Sequence, residues 1–253
     1  TMDKWSWAYY RQELTYCEDI LKKSGATRVP SKTSLFTAWT KLSEKKLIRQ
    51  ITQLGRIICP QARTVAVDST GFALKGGTLW RIVKWSTKLL KKTSKLFWKV
   101  HIMVDTSSMV ILSLSSSSAP THDLQRVGAL FRTLGKRLQR TIRFFYADKA
   151  YTSDDLFNYL QQEHITAVVE PKKNTQDHGT ESRRDKTIRL YRMSVALWKK
   201  TFRAFRKSSV EHVFGVVKQN FAPLRARTAK NKHKRLILYF FEYNFSLYFK
   251  QHY

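Results

Sequence analysis

Apolar residues recur at three- and four-residue spacing through the first quarter of the chain. Leu35, Ala38, Trp39 and Leu42, then Leu47, Ile48, Ile51, Leu54, Ile57 and Ile58, fall along one helical stripe, and the segment from Trp5 to Leu21 keeps the same period. This predicts helices over 5–21 and 35–58, with Ser31 and Ser34 as N-cap candidates after Pro30. At Thr64 the period changes. Short runs rich in β-branched and aromatic residues, each bounded by polar, Gly or Pro clusters, predict five strands over 64–68, 96–104, 110–114, 142–147 and 166–169. The run from Ser115 to Ser118 reads as a loop leading to Pro120. Leu124, Val127, Leu130, Phe131 and Leu134 predict a helix over 123–138, and a second is expected over 154–163. Val210, Phe214, Val217 and Phe221 form the apolar stripe of a helix over 208–220.

Three strands joined by short turns make an antiparallel meander, whereas crossovers through helices bring strands one, four and five parallel in one sheet. The expected class is α/β, a mixed sheet whose strand-strand-strand-helix-strand-helix-strand-helix order is that of a ribonuclease H-like domain. A helical region over 1–60 precedes it, and the domain over 61–253 carries a basic insertion at about 172–207 and a C-terminal helix. The segment from Ser31 to Trp39 suits either a helix offering Lys32, Thr33 and Thr37 to a DNA groove, as in a helix-turn-helix, or an ordinary amphipathic hairpin.

Charge narrows the function. The 253 residues hold 47 Lys and Arg against 18 Asp and Glu, a formal +29, so a polyanion is the expected partner, nucleic acid first and a membrane surface second. With 42% hydrophobic residues the chain buries a core and is no disordered basic tail. Cys17 and Cys59 make no disulfide framework and have no zinc spacing, and His122 and His212 read as surface or capping residues. The apolar run from Leu236 to Phe249 has 14 residues and includes Glu242 and Asn244, too short and polar for a membrane span. Three basic tracts suit DNA. The first holds Lys84, Lys88, Lys91, Lys92, Lys95 and Lys99 with Trp85 and Trp98 between them as possible base-stacking rings. The second, 183–207, contains ten Lys and Arg with Trp198; the third, 218–235, contains seven, among them Arg225 and Arg227.

With so few acids, those at strand ends stand out: Asp68, Asp105, Asp148 and Glu170. The second strand runs antiparallel, so Asp105 falls at the opposite sheet edge and serves the turn to Met109. Asp68 and Asp148 meet beyond the carboxyl ends of adjacent parallel strands. Their repulsion is relieved by a hard divalent ion, Mg²⁺ or Mn²⁺. A second ion calls for a third carboxylate. Glu211 supplies it from the late helix, with Lys218 seven residues on and within about 20° around the helix axis. Asp123, in Thr121-His122-Asp123, reads as a helix cap, with an auxiliary metal role as the lesser alternative.

Val65-Ala66-Val67-Asp68-Ser69-Thr70, Tyr146-Ala147-Asp148-Lys149-Ala150-Tyr151 and Val210-Glu211 through Lys218 together resemble the DDE transposases of insertion sequences. The likeness is nearest the fifth insertion-sequence family, within the wider group that includes the fourth. The acids stand 80 and then 63 residues apart, and the likeness covers about residues 30–250. The resemblance implies that Asp68, Asp148 and Glu211 hold two Mg²⁺ or Mn²⁺ ions for DNA cleavage and 3′-end strand transfer. Lys218 becomes the lysine closing the family's Tyr-x-x-Arg-x-x-x-Glu-x-x-x-x-x-x-Lys signature. Ala204 replaces that signature's Tyr and Lys207 its Arg, with Phe205 and Arg206 adjacent. Lys207, Arg206 and Lys149 are expected on the DNA backbone. The resemblance further implies insertion-sequence ends and target DNA as partners, a homodimer in the complex, no membrane association, and a nucleoid-associated place in a prokaryotic cytoplasm. The alternatives are an inactive or domesticated DNA-binding relative, or a ribonuclease H-like nuclease or resolvase without strand transfer.

Overall fold

The computed structural model describes residues 27–73, 97–118, 122–172, 174–219 and 228–252. Two helices come first, α1 (Lys32–Lys41) and α2 (Glu44–Ile58). Strands β1 (Thr64–Ala73), β2 (Phe97–Asp105) and β3 (Ile111–Ser118) follow, then α3 (Leu124–Leu134), α4 (Lys136–Gln139), β4 (Phe144–Ala147), α5 (Asp154–Gln162) and β5 (Thr166–Val169). Helices α6 (Arg183–Met193), α7 (Val195–Thr201), α8 (Ser208–Gln219) and α9 (Ala229–His252) complete the described order. The sheet runs β3-β2-β1-β4-β5, with β1 and β2, and β2 and β3, antiparallel and β1, β4 and β5 parallel. This is the α/β, ribonuclease H-like arrangement that the element order predicts.

Alternation along the central strand splits the core into two layers. Val65 and Val67 face a layer formed with Val127, Leu130 and Phe131 of α3 and Leu160 of α5. Ala66 faces the other layer, with Leu47 and Ile51 of α2, Val210, Val213 and Val217 of α8, and Leu236, Ile237 and Phe240 of α9. Each such side chain contributes roughly 1.5–3 kcal/mol by leaving water. The apolar stretch over 236–249 is thus half of a core helix, and no helix among the described residues is long and apolar enough to cross a membrane. Its one fully buried amide, Asn244, is a latch. The Asn244 side chain donates to the carbonyls of Ile111 (2.7 Å) and Ile51 (3.3 Å) and accepts from Ile111 N (2.9 Å), fastening α9 to both β3 and α2.

Several boundaries differ from the sequence reading. The expected helix over 35–58 breaks at Leu42-Ser43, because Ser43 caps a new start by accepting from Lys46 N at 3.2 Å. Ser31 caps α1 in the same way, whereas Ser34 lies inside it. The expected helix over 123–138 breaks at Gly135, whose φ of 79° suits glycine alone. The serine run is strand, not loop: Ser115, Ser116 and Ser117 pair with His101, Val100 and Lys99 of β2. Hydrophobicity could not mark it, since Ser115 and Ser117 lie opposite polar partners. Trp5 to Leu21 falls outside the described residues.

Helix α2 lies so close to β3 that a Cβ on Gly55 would stand 2.5 Å from the Ile111 carbonyl oxygen and 3.3 Å from Leu112 Cα. Gly128, on the outer side of α3, has only the end of the Arg132 side chain at 3.5 Å. Urea denaturation of Gly55→Ala should therefore show a loss of about 2 kcal/mol or more, because the backbone contact outweighs the helix-propensity gain. Gly128→Ala should gain about 0.5–1 kcal/mol.

Candidate active site

Asp68 stands on β1 one pleat beyond Ala66, on the sheet face covered by α8. The parallel pairing of β1 with β4 ends at Val67 and Ala147, so Asp148, the next residue, lies at the tip of β4 beside it. Its carboxylate accepts from Lys149 N at 2.5 Å and opens the 3₁₀ turn Lys149–Tyr151. Glu170 follows β5 on the same edge and accepts from the Tyr191 hydroxyl at 2.7 Å. Asp105 sits at the opposite edge as expected, its Oδ2 taking Ser107 N (3.1 Å), Ser108 N (2.8 Å) and the Ser108 hydroxyl (2.9 Å) to shape the turn to Met109.

Helix α8 runs along β1. Near its start the Ser209 hydroxyl donates to Thr106 O at 3.3 Å, and near its end Lys218 Nζ donates to the Thr70 hydroxyl at 2.6 Å. Its buried stripe, Val210, Val213, Phe214 and Val217, leaves Glu211 and Lys218 at the rim. Glu211 is exposed and yet within electrostatic range of Asp68. Burial raises the Asp68 pKa to about 6; a hydrogen bond from Ser69 N opposes the rise, and the Asp123, Asp148 and Glu211 carboxylates add to it. The countercharges are two lysines. Lys207 Nζ lies 3.7 Å from Asp148 Oδ1, and Lys218, its own pKa lowered by loss of solvent, is held up by Asp68.

A cluster of carboxylates offering only oxygen donors, one of them held above the ordinary carboxylate range mainly by burial, fits a hard divalent cation. The expected convergence is nevertheless incomplete: among the described residues no three His, Cys, Asp or Glu side chains are gathered as metal ligands are. Like charges separate, and each acid has another engagement. Asp148 turns to Lys149 N and toward Lys207, while Glu211 points outward. Beside Glu211 and Glu170 a cavity of about 760 Å³ opens, lined also by Arg203, Phe205 and Lys207. Arg203 adopts the left-handed conformation (φ 50°, ψ 47°), reversing the chain between α7 and the short turn Ala204–Lys207.

Of the basic residues expected on DNA, Lys207 and Lys218 border the carboxylates, and Lys149 is exposed next to Asp148. Arg206 instead donates to the Thr64 hydroxyl at 3.3 Å, at the far end of β1, so of the two adjacent cations it is the lysine that reaches Asp148. Trp98 stacks on buried His233 at 3.8 Å, and Trp198 is buried against Tyr191, so both rings are engaged in packing. Lys84, Trp85, Lys88, Lys91, Lys92, Lys95, Arg225 and Arg227 lie outside the described residues.

Asp123 departs from its sequence reading. Its backbone is helical (φ −59°, ψ −41°) and its side chain makes no capping bond to α3. Oδ1 accepts instead from the Ser69 hydroxyl and from Lys99 Nζ, each at 2.6 Å, and lies 3.5 Å from His101 Nδ1. Burial lowers the His101 pKa to about 4 against the pull of Asp123, so the imidazole is neutral at physiological pH and Lys99 is the counterion. Only the shortage of acids in the chain hinted at this.

The raised Asp68 pKa carries a sign. The folded state holds this proton more tightly than the unfolded chain does, so the stabilisation is complete below about pH 4 and is lost as pH rises through about 6. Without divalent metal, Asp68→Asn should melt above the wild type at about pH 7.5, by about 1–3 kcal/mol, and the gap should close as pH falls toward 4. A gap independent of pH would contradict this account.

The family model Transposase DDE domain matches residues 60–245. No solved structure matches the chain. The matched span starts just ahead of β1, ends within α9, and contains all five strands together with Asp68, Asp148 and Glu211; the chain belongs to the transposase DDE domain family.

Proposed function

We propose that the chain is a divalent-metal-dependent DNA transposase of the insertion-sequence type, nearest the fifth insertion-sequence family, which binds element ends, cuts them and joins their 3′ ends to target DNA. The observation that carries this reading is the place of Asp68 and Asp148, each directly after the last residue pair that joins β1 to β4, with Glu211 within electrostatic range of Asp68, in a chain of net charge +29. Asp68, Asp148 and Glu211 would hold the Mg²⁺ or Mn²⁺ ions. Bound there, such ions supply charge neutralisation and activation of the attacking oxygen in an in-line phosphoryl transfer.

The protein's own groups do the rest. Lys207, beside Asp148, and Lys218, beside Asp68, are placed to meet the phosphate that approaches these acids. Lys149 adds charge at the rim, and Lys207 gives it without the two-pronged grip of the arginine it replaces. The tyrosines near the site do not suit covalent attack. Tyr151 is fully buried with its pKa raised well above the ordinary value by burial and then by Asp123, Asp68 and Asp148, and the Tyr146 and Tyr191 hydroxyls are bonded to Phe202 O and Glu170. Water, and then a DNA 3′-hydroxyl, are the nucleophiles. Two ends held together call for two copies of the chain, with Lys32, Thr33 and Thr37, exposed on α1, offered to duplex DNA.

The test is a cleavage-and-joining assay on DNA carrying the element's inverted repeats, with Mg²⁺ or Mn²⁺. Asp68→Ala, Asp148→Ala and Glu211→Ala should each lose about 10³-fold or more in cleavage while binding the same DNA within a few-fold. DNA affinity should fall by roughly 0.9 log units per phosphate contact for each log unit of salt. Cleavage retained by any of the three variants overturns the triad. Cutting without end joining turns the reading to a nuclease or resolvase.

A further inference from the structure

Behind the carboxylates, on the opposite face of the sheet, lies a second polar cluster that takes no part in the chemistry above. Ser69 points there because it follows Asp68 on β1, and His101 pairs with it across β2. Lys99, two residues earlier on β2, and Asp123, just ahead of α3, close the cluster from the sides. It is well shielded: His101 and Tyr151 are fully buried, and the Lys99 and Asp123 side chains are 17% and 18% exposed. A carboxylate so placed, with helical backbone and no capping bond, serves neither its helix nor solvent. Asp123 therefore has its role through what it holds.

It holds the β1 half of the candidate site. The 2.6 Å bond from the Ser69 hydroxyl fixes β1 at the residue following Asp68. The ion pair with Lys99 and the adjacent His101, itself 3.4 Å from the Ser117 hydroxyl, anchor the carboxylate to β2 and β3. We infer that Asp123 is a positioning residue: through the Ser69 hydroxyl it fixes the stretch of β1 that carries Asp68, and so sets the place of that carboxylate beside Asp148 and the affinity of the pair for a divalent ion. This rests on the metal-dependent function proposed above. Outer partners of metal-binding side chains typically change metal affinity or activity 10- to 100-fold when removed.

The experiment measures Mn²⁺ binding to the intact chain, by the loss of the free-ion paramagnetic resonance signal, for the wild type, Asp123→Asn, Asp123→Glu, Ser69→Ala and the Asp123→Asn/Ser69→Ala double variant. Asp68→Ala is the control. Asp123→Asn should bind Mn²⁺ about 10-fold more weakly or worse, and the Mn²⁺ concentration for half-maximal cleavage should rise in parallel while the rate at saturating Mn²⁺ changes less. Metal-free DNA affinity should stay within about two-fold, which a general folding defect would not allow. Ser69→Ala, which spares the Lys99 pair, should shift in the same direction, the double variant should bind no more weakly than Asp123→Asn alone, and Asp123→Glu should recover part of the loss. Unchanged Mn²⁺ affinity in Asp123→Asn and Ser69→Ala, or fully additive losses in the double variant, overturns the inference and leaves the proposed function standing. A wild type that takes up no Mn²⁺, or an Asp68→Ala variant that binds as the wild type does, overturns the proposed function and this inference with it.

Discussion

The parallel pairing of β1 with β4 is the constraint on which the rest depends. It fixes Val67 against Ala147 and leaves the next residue of each strand a carboxylate. Burial on the covered face of the sheet conflicts with ionisation of Asp68: loss of solvent is the main cause of its rise to a pKa of about 6, and the Asp123, Asp148 and Glu211 carboxylates add to it. A stability cost of this kind is common where a site is organised for a ligand rather than for the fold. Lys207 and Lys218 relieve the conflict only in part.

The surroundings are built to hold that edge still. Helix α8 is tied near its start to Thr106, just after β2, and near its end to Thr70 of β1, and the buried Asn244 secures the long C-terminal helix to the edge strand β3 and to α2. Lys234, almost wholly buried, donates to the last carbonyls of α1 at Trp39 (2.8 Å) and Leu42 (3.2 Å), so a side chain from α9 closes the C-terminus of a helix nearly two hundred residues earlier. These polar ties cross between elements distant in sequence. Those of Ser209, Lys234 and Asn244 satisfy backbone groups that would otherwise lack partners.

Much of the site could be read from the sequence because its residues sit at positions that pattern marks. Asp68 and Asp148 each follow a run of β-branched or aromatic residues, and Glu211 lies beside a clear apolar stripe. What pattern could not supply was the partner of each side chain. Asp123 looked like a cap because it precedes a helix, although the hydroxyl it accepts from comes from β1, 54 residues earlier. Arg206 and Lys207 are neighbours, yet one reaches the far end of β1 and the other reaches Asp148. Trp98 looked free to stack on a base until α9 brought His233 against it.

Only the structure shows that β1 runs on past Asp68 to Ala73; the sequence alone determined the order of elements, the mixed sheet and the place of Asp148 directly after β4. Those follow from periodicity and connection length, which are local properties of a chain. Only the tertiary structure decided that the serine run is a strand, that Asp123 looks backward into the sheet, and that the three acids lie close without closing. Such outcomes depend on which faces meet across the sheet and on which carboxylates are buried there, and neither is written in any one segment.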